Sequence, residues 1–223
     1  MKYYITMIAV ICCVSLVASQ ESLGQSYLFH DGQNGFGVAG TIESGEDYTS
    51  FGAKFAFSAA GRFDLGVEVG KASFDESEYG EDFSATQLSP FVAAMLVRPN
   101  ESSPVGVIAS AAYGAATFSG DELDALSWDL SSTSYAVGGV LYLELESSPK
   151  LSVFPAVGVS YAGVTATLED SAGASVDEET KDMLITGSVT FYFNQQVFIT
   201  PSLYTFDGSS SWGVAAGVAV PLK

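Results

Sequence analysis

The chain has 223 residues, of which 48% are hydrophobic, and its 26 acidic residues against 8 Lys and Arg give a net charge of −18. This is enough chain for one large domain, and no Pro/Ser-rich linker divides it. The charge argues against a nucleic-acid partner, because phosphate binding needs clustered Lys and Arg that the sequence lacks.

The first residues have the features of a secretory signal peptide. Lys2 supplies a positive end, residues 7–17 form a short apolar run, and small residues precede Ser19. The run is too short to span a bilayer as a permanent helix. We therefore expect residues 1–19 to be a cleaved signal peptide. Cleavage would remove Cys12 and Cys13, so the exported protein would have no thiol.

Residues 20–34 are a polar segment that we expect to lie in the periplasm, and no secondary structure is predicted for them. They contain the only histidine, His30. A strand pattern begins at Gly35 and continues to the end of the chain, so we assign residues 35–223 to one β-barrel domain.

The hairpin in residues 49–74 shows the pattern most clearly. Apolar side chains occupy alternate positions before and after a turn: Phe51, Ala53, Phe55, Phe57, then Phe63, Leu65, Val67 and Val69. We predict a three-residue turn, residues 59–61, with Gly61 in the positive-φ position. That turn would pair Phe57 with Phe63.

The same alternation recurs along the chain. It predicts one strand before the hairpin, at 36–42, and seven after it, near residues 88–96, 105–113, 134–145, 151–161, 183–193, 197–203 and 212–222. Connections alternate between short turns and long acidic loops, the latter including 75–82, 121–129 and 169–182. This arrangement predicts a closed antiparallel transmembrane β-barrel of about ten strands, with eight as the alternative, short periplasmic turns and long outer loops.

The two faces of the strands differ in an informative way. One face is continuously Val, Leu and Phe, and the other is mostly Gly, Ala, Ser and Thr with few charges. A soluble sheet would show Lys and Glu on its polar face, so the pattern favours lipid outside and a lumen inside. A soluble secreted or periplasmic β-barrel that binds an apolar ligand is the alternative.

Aromatic residues on the apolar face fall at two heights. Four of them lie about ten residues from the short-turn ends, which suits the edge of an apolar band about 25 Å tall. They form a predicted outer girdle of Tyr113, Tyr135, Tyr161 and Trp212. A predicted inner girdle consists of Phe57, Phe63, Phe191 and Phe193.

The face directed to the lumen carries two predicted sets of residues. Charged side chains that need partners when buried form a predicted lumen charge network of Lys54, Arg62, Asp64, Glu68, Glu144 and Glu146. Bulky side chains near the short turns form a predicted constriction of Met95, Ile108, Tyr142, Phe154, Tyr192 and Phe198. Small residues nearer the long loops predict a cup that is open to the outside.

The chain resembles the bacterial outer-membrane β-barrel domain proteins, a porin-like family. The resemblance covers the exported chain, and it includes Gly-Phe-Gly at 35–37, Leu-Gly-Val at 65–67, and Pro90, Pro155 and Pro201 inside strands. It implies a bacterial outer-membrane location, contact with membrane lipid, and insertion by the outer-membrane assembly machinery. Such proteins commonly end in an aromatic residue, whereas residues 220–223 here are Val-Pro-Leu-Lys.

No catalytic, cofactor-binding or metal-binding residues are predicted. Hydrolytic barrels need a general base near a nucleophile or paired carboxylates, and the single His30 precedes the first strand. The acidic loops could bind divalent cations weakly through carboxylate oxygens. The sequence therefore predicts a non-enzymatic envelope protein, either a structural component or a narrow porin-like passage. A surface adhesin that acts through the acidic loops is a further alternative.

Overall fold

The computed structural model describes residues 25–45, 48–74, 83–100, 102–148, 150–206 and 208–222. The predicted signal peptide and the predicted acidic loop 75–82 lie outside these residues. The helices are α1 (Gln25–Leu28) and α2 (Asp121–Leu126). The strands are β1 (Gly35–Ser44), β2 (Tyr48–Ala59), β3 (Phe63–Phe74), β4 (Phe83–Val97), β5 (Val105–Gly120), β6 (Asp129–Leu143), β7 (Leu145–Ser148), β8 (Leu151–Glu169), β9 (Ser175–Phe193), β10 (Val197–Phe206) and β11 (Ser209–Pro221).

These strands form a closed antiparallel barrel, which confirms the predicted fold class and the count of ten. Each strand pairs with the next along the chain, and the last strand pairs with the first, from Gly35 opposite Pro221 to Ser44 opposite Trp212. β6 and β7 are two segments of one barrel strand, because both pair with β8 in the same register. Among the described residues, no helix is long and apolar enough to cross a membrane.

Three prolines lie inside strands, and each interrupts the ladder on one side only. Pro155 stands where β6 gives way to β7, and it still pairs with Val189 on its other side. The ladders β4–β5 and β9–β10 likewise skip the pairs at Pro90 and Pro201. Proline has no N–H to donate, so one neighbouring strand loses a hydrogen bond there.

The turn of the first hairpin differs from the predicted one. Ala60 and Gly61 both have positive φ, 54° and 60°, and the Arg62 N–H donates to the Ala59 carbonyl at 3.0 Å. The two central residues of this turn thus have the left-handed conformation of a type I′ turn. The ladder pairs Ala59 with Phe63, so residues 60–62 connect the strands rather than the predicted 59–61, and Phe57 pairs with Leu65 instead of Phe63. The shift places Lys54 directly opposite Glu68.

The predicted loop 169–182 is wrong, because most of it belongs to a long hairpin. β8 and β9 pair without interruption from Leu151 opposite Phe193 to Glu169 opposite Ser175. The Asp170 carboxylate closes the turn by accepting the Ala172 and Ala174 N–H groups at 2.8 and 2.9 Å. This part of the hairpin is held by polar contacts, such as the hydrogen bond from the Thr167 hydroxyl to Asp177 at 2.8 Å. Its sequence therefore lacks the apolar alternation from which the other strands were predicted.

Candidate functional site: the barrel interior and its short-turn mouth

Charged side chains inside the barrel are matched to partners. Lys54 and Glu68, opposite each other on β2 and β3, form an ion pair of 3.1 Å with side chains only 1% and 3% exposed. The Thr41 hydroxyl donates to Glu68 at 3.3 Å, and the Lys54 ammonium lies 5.6 Å from the centre of the Phe91 ring. Asp64 is buried as well. Pairing of this kind offsets the cost of removing charge from water.

The rest of the predicted charge network is placed differently. Arg62 is not in the interior, because it follows the tight turn and its side chain is 51% exposed. Glu144 is exposed at the break between β6 and β7, and the side chain of Glu146 lies outside the described residues. Glu43 is an interior carboxylate that the prediction missed, since the predicted first strand ended at residue 42. Extending the alternation of β1 by two residues would have found it.

The six residues of the predicted constriction are all buried inside the barrel. The Tyr142 hydroxyl donates to the Met95 sulfur at 3.2 Å, and the Tyr142 and Phe154 rings lie 6.4 Å apart. These side chains belong to one contiguous apolar cluster that also includes Ala136 and Ala162, both with 0% exposure. A water-filled lumen would leave small wall residues such as these accessible. The middle of the barrel is therefore packed.

The predicted outward-open cup is wrong. Bulky side chains are buried at the strand ends beside the long connections: Tyr48, Phe74, Leu130, Tyr204 and Phe206. The Tyr204 hydroxyl is hydrogen-bonded to the Ser202 hydroxyl at 2.8 Å. The small residues thus form a middle layer between two bulky layers. The sequence prediction compared residue sizes only over the middle of each strand, so it missed the second bulky layer.

The short-turn mouth is the end of the barrel marked by the turns 60–62 and 194–196 and by the adjoining ends of β4, β5 and β8, and residues 25–34 cross it as an N-terminal strap. The Tyr27 ring packs on Tyr142 and Phe154, with centroid distances of 5.2 and 4.8 Å. Its hydroxyl is hydrogen-bonded to the Thr190 hydroxyl in the wall at 2.7 Å. Phe29 is buried in the same apolar cluster. A segment for which the sequence predicted no secondary structure therefore fills the mouth.

Polar contacts hold the N-terminal strap to the turns. The Arg98 guanidinium donates to the Phe29 carbonyl at 2.9 Å and also to the carbonyl of Gly61. The Gly32 N–H donates to the Ala60 carbonyl at 2.9 Å. Gly61 needs its positive φ for the turn, and a Cβ there would also clash with the backbone of His30. The turn and the strap are therefore complementary in shape and in hydrogen bonding where they meet.

An ion pair at the surface adds to this attachment. Arg62 donates two hydrogen bonds to the Asp31 carboxylate, at 2.6 and 3.1 Å. The hydrogen bond from Arg62 holds the pKa of Asp31 below its ordinary value of 3.8. Both side chains are solvent-exposed, so this pair stabilises the docked strap only modestly.

The residues of the two predicted girdles lie on the outside of the barrel. Tyr113, Tyr135, Tyr161 and Trp212 are exposed, as are Phe57 and Phe63, while Phe191 and Phe193 are partly exposed. Between the girdles the exposed side chains are apolar, for example Leu141 and Val157, each 50% exposed.

Groups that could perform chemistry are sparse in the described part of the chain. His30 is exposed at the short-turn mouth, where its backbone N–H donates to the Gln33 side chain at 3.1 Å. Within the described residues, no cluster of three or more His, Cys, Asp and Glu side chains is arranged to hold a metal ion. The acidic loop at 75–82, one of the loops that could bind divalent cations weakly, lies outside those residues.

Comparisons with known proteins identify the fold. No protein-family model matches the sequence, and comparison with curated proteins finds no match. The structure is similar to the translocator domain of the autotransporter NalP from Neisseria meningitidis, with a TM-score of 0.57, 11% identity, and coverage of 97% of this chain and 99% of that one. At this identity the similarity shows the fold alone, and it confirms the predicted resemblance to outer-membrane β-barrel proteins at that level.

Two further structures give lower scores. The β domain of the Bordetella autotransporter BrkA has a TM-score of 0.46 and 11% identity over 84% of this chain and 98% of that one. A major outer membrane protein from Thermus thermophilus has a TM-score of 0.40 and 16% identity over 85% of this chain and 99% of that one.

Proposed function

We propose that this protein is an integral β-barrel of the bacterial outer membrane that serves as a closed, non-enzymatic envelope component. The distribution of polarity supports insertion into a membrane. Leu65 and Leu203 are exposed on the outside, whereas Lys54, Asp64 and Glu68 are buried inside. A soluble protein rarely exposes a continuous apolar belt of this kind, but a lipid-embedded barrel requires one.

The girdle residues support the same conclusion. Tyr161 is ten positions beyond Leu151, the first residue of β8 at the short-turn end. Trp212 lies opposite Leu203, near the end of β11 that is remote from the short turns. About ten residues of tilted strand correspond to the hydrocarbon thickness of a bilayer. Tyrosine and tryptophan at that height would place their polar atoms among the lipid headgroups.

The closed interior is the observation that supports a structural role over a narrow porin-like passage. A bulky layer lies at each end of the barrel, and Ala136 and Ala162 between them have no exposed surface. Tyr27 and Phe29 of the N-terminal strap add a further layer at the short-turn mouth. Barrels of this strand number have little lumen beyond what their side chains fill.

Fractionation and electrical recording together test the proposal. The expressed protein should be recovered in the outer-membrane fraction and should migrate at different positions with and without boiling in detergent. Reconstituted into planar bilayers, it should give no single-channel steps. A soluble, non-shifting protein would favour the apolar-ligand carrier instead. Steady conductance by a heat-modifiable barrel would favour the narrow passage.

Surface binding is a second candidate, and the hairpin β8–β9 favours it. β9 pairs with β10 only between Phe193 and Ile185, while its residues 175–184 continue alongside β8 alone. The hairpin would thus project beyond the outer girdle by about eight residues, or about 26 Å. Replacing residues 168–176 with a two-residue Asn-Gly turn should leave heat-modifiability intact. If the adhesin alternative is correct, that variant should lose attachment of expressing cells to immobilised matrix protein.

A further inference from the structure

Three tyrosines of the outer girdle form one continuous row on the outside of the barrel. Tyr113 on β5 lies directly opposite Tyr135 on β6, and the Tyr135 and Tyr161 rings are 6.4 Å apart. All three are exposed. The three side chains therefore lie next to one another on one part of the barrel circumference, across β5, β6 and β8.

Gly163 allows this row to reach a lysine on the next strand. In β8, Gly163 stands between Tyr135 on one side and Lys181 of β9 on the other. A Cβ at Gly163 would lie 2.6 Å from the Tyr135 ring and 2.7 Å from its hydroxyl, so the ring lies flat over the glycine. Tyr135 and Lys181 thus flank Gly163 on its two sides in the sheet.

Lys181 is a rare cation at this end of the protein. Of the described Lys and Arg residues, four lie elsewhere, with Lys54 inside the barrel and Arg62, Arg98 and Lys150 at the short turns. The other two, Lys71 and Lys181, are exposed near the outer girdle. These two are therefore the described cations that an anion could contact on the outside of this end of the barrel.

We propose that Lys181, with the hydroxyls of Tyr135 and Tyr161, binds the phosphate of an anionic lipid headgroup at the outer edge of the membrane. The proposal rests on the membrane location given above. The Lys181 ammonium already contacts Glu179 at 2.6 Å and is 40% exposed. An ammonium has three N–H donors, so it can hold Glu179 and still donate to a phosphate oxygen. Two phenolic O–H groups add neutral donors, and the lipid chains continue along the apolar belt.

The lipid is favoured over a free anion because the site is continuous with the lipid-facing belt. Met183 on β9 lies opposite Tyr161, and both are exposed on the outward face directly below Lys181. Acyl chains would cover these apolar side chains, which inorganic phosphate cannot do.

Native mass spectrometry of the full chain, purified in non-ionic detergent, can test the proposal with phosphatidylglycerol as the probe. Lys181→Gln should reduce the bound fraction about tenfold, and Tyr135→Phe about threefold, because a charged and a neutral donor are lost, respectively. Lys71→Gln is the matched control, since Lys71 faces Phe51 and Thr86 across its neighbouring strands rather than tyrosines. It should bind phosphatidylglycerol as the wild type does.

A further variant and a second lipid distinguish a specific lipid site from general anion binding. Gly163→Ala keeps every donor but displaces the Tyr135 ring, so it should weaken binding while Lys181 is intact. Phosphatidylcholine, whose own cation neutralises its phosphate, should bind less than phosphatidylglycerol. Equal losses in Lys71→Gln and Lys181→Gln, or competition by millimolar inorganic phosphate alone, would overturn a specific lipid site. Heat-modifiability of each variant is checked first, because failure there concerns the barrel and not the lipid site.

Discussion

Truncating Tyr27 should detach the N-terminal strap without unfolding the barrel. The substitution Tyr27→Ala removes ring contacts with Tyr142 and Phe154, at 5.2 and 4.8 Å, and the hydrogen bond to Thr190. Each aromatic contact is worth about 0.5–1.5 kcal/mol, and the hydrogen bond about 1 kcal/mol. The sum of about 2–4 kcal/mol corresponds to a shift of about 30- to 700-fold in the docking equilibrium of the strap.

Hydrogen exchange measures this shift directly. The Gly32 amide donates to the Ala60 carbonyl at 2.9 Å, across the contact between strap and turn, so it is protected only while the strap is docked. In Tyr27→Ala the exchange of the Gly32 amide should accelerate by the factor given above, while amides in the barrel strands keep their protection. Tyr27→Phe retains the ring and should accelerate exchange only about fivefold. Unchanged exchange in Tyr27→Ala would refute the idea that this side chain holds the strap.

Three further outcomes are expected. Lys54→Met should destabilise the barrel by about 3–5 kcal/mol in detergent unfolding, because it leaves Glu68 buried without its cation. Adding Glu68→Gln should recover most of the lost stability, and no recovery would argue against charge as the cause. Asp31→Asn should speed strap exchange at neutral pH. Because the folded pKa of Asp31 lies below 3.8, the stabilising ion pair is complete above that value and is lost as the pH falls through the lowered pKa, so variant and wild type should converge in acid. Replacing Tyr142 and Phe154 together with Ala loosens only the bulky layer near the short turns, so the double variant should stay silent in planar bilayers, and steady single-channel steps would show that the second bulky layer does not close the barrel.

Strand number, strand direction and the inward face were predictable because each rests on local alternation. Phe55 and Leu65 show the pattern within a few residues, and a closed barrel forces the same alternation on every strand. The register of the first hairpin was not predictable in this way. It depends on Ala60 adopting a positive φ, which a residue with a Cβ rarely does.

The closure of the interior could not be predicted, because it comes from contacts between distant parts of the chain. Tyr27 and Thr190 are 163 positions apart, and Arg98 reaches Phe29 over 69 positions. Three consecutive apolar residues at 27–29 in a polar segment were the one available signal. They have no period, so an interpretation based on alternation assigned them no structure.

The N-terminal strap and the barrel seam are parts of one structure. The seam between β1 and β11 ends with Gly35 opposite Pro221, and the next hydrogen bond, from the Leu222 N–H to the Asn34 carbonyl at 2.8 Å, already belongs to the strap. The Asn34 side chain also accepts the Ala60 N–H at 2.8 Å. The strap can therefore reach its final position only when the first and last strands have paired. Strap docking should consequently follow barrel closure during folding, and protection at Gly32 should appear no earlier than protection at Leu222.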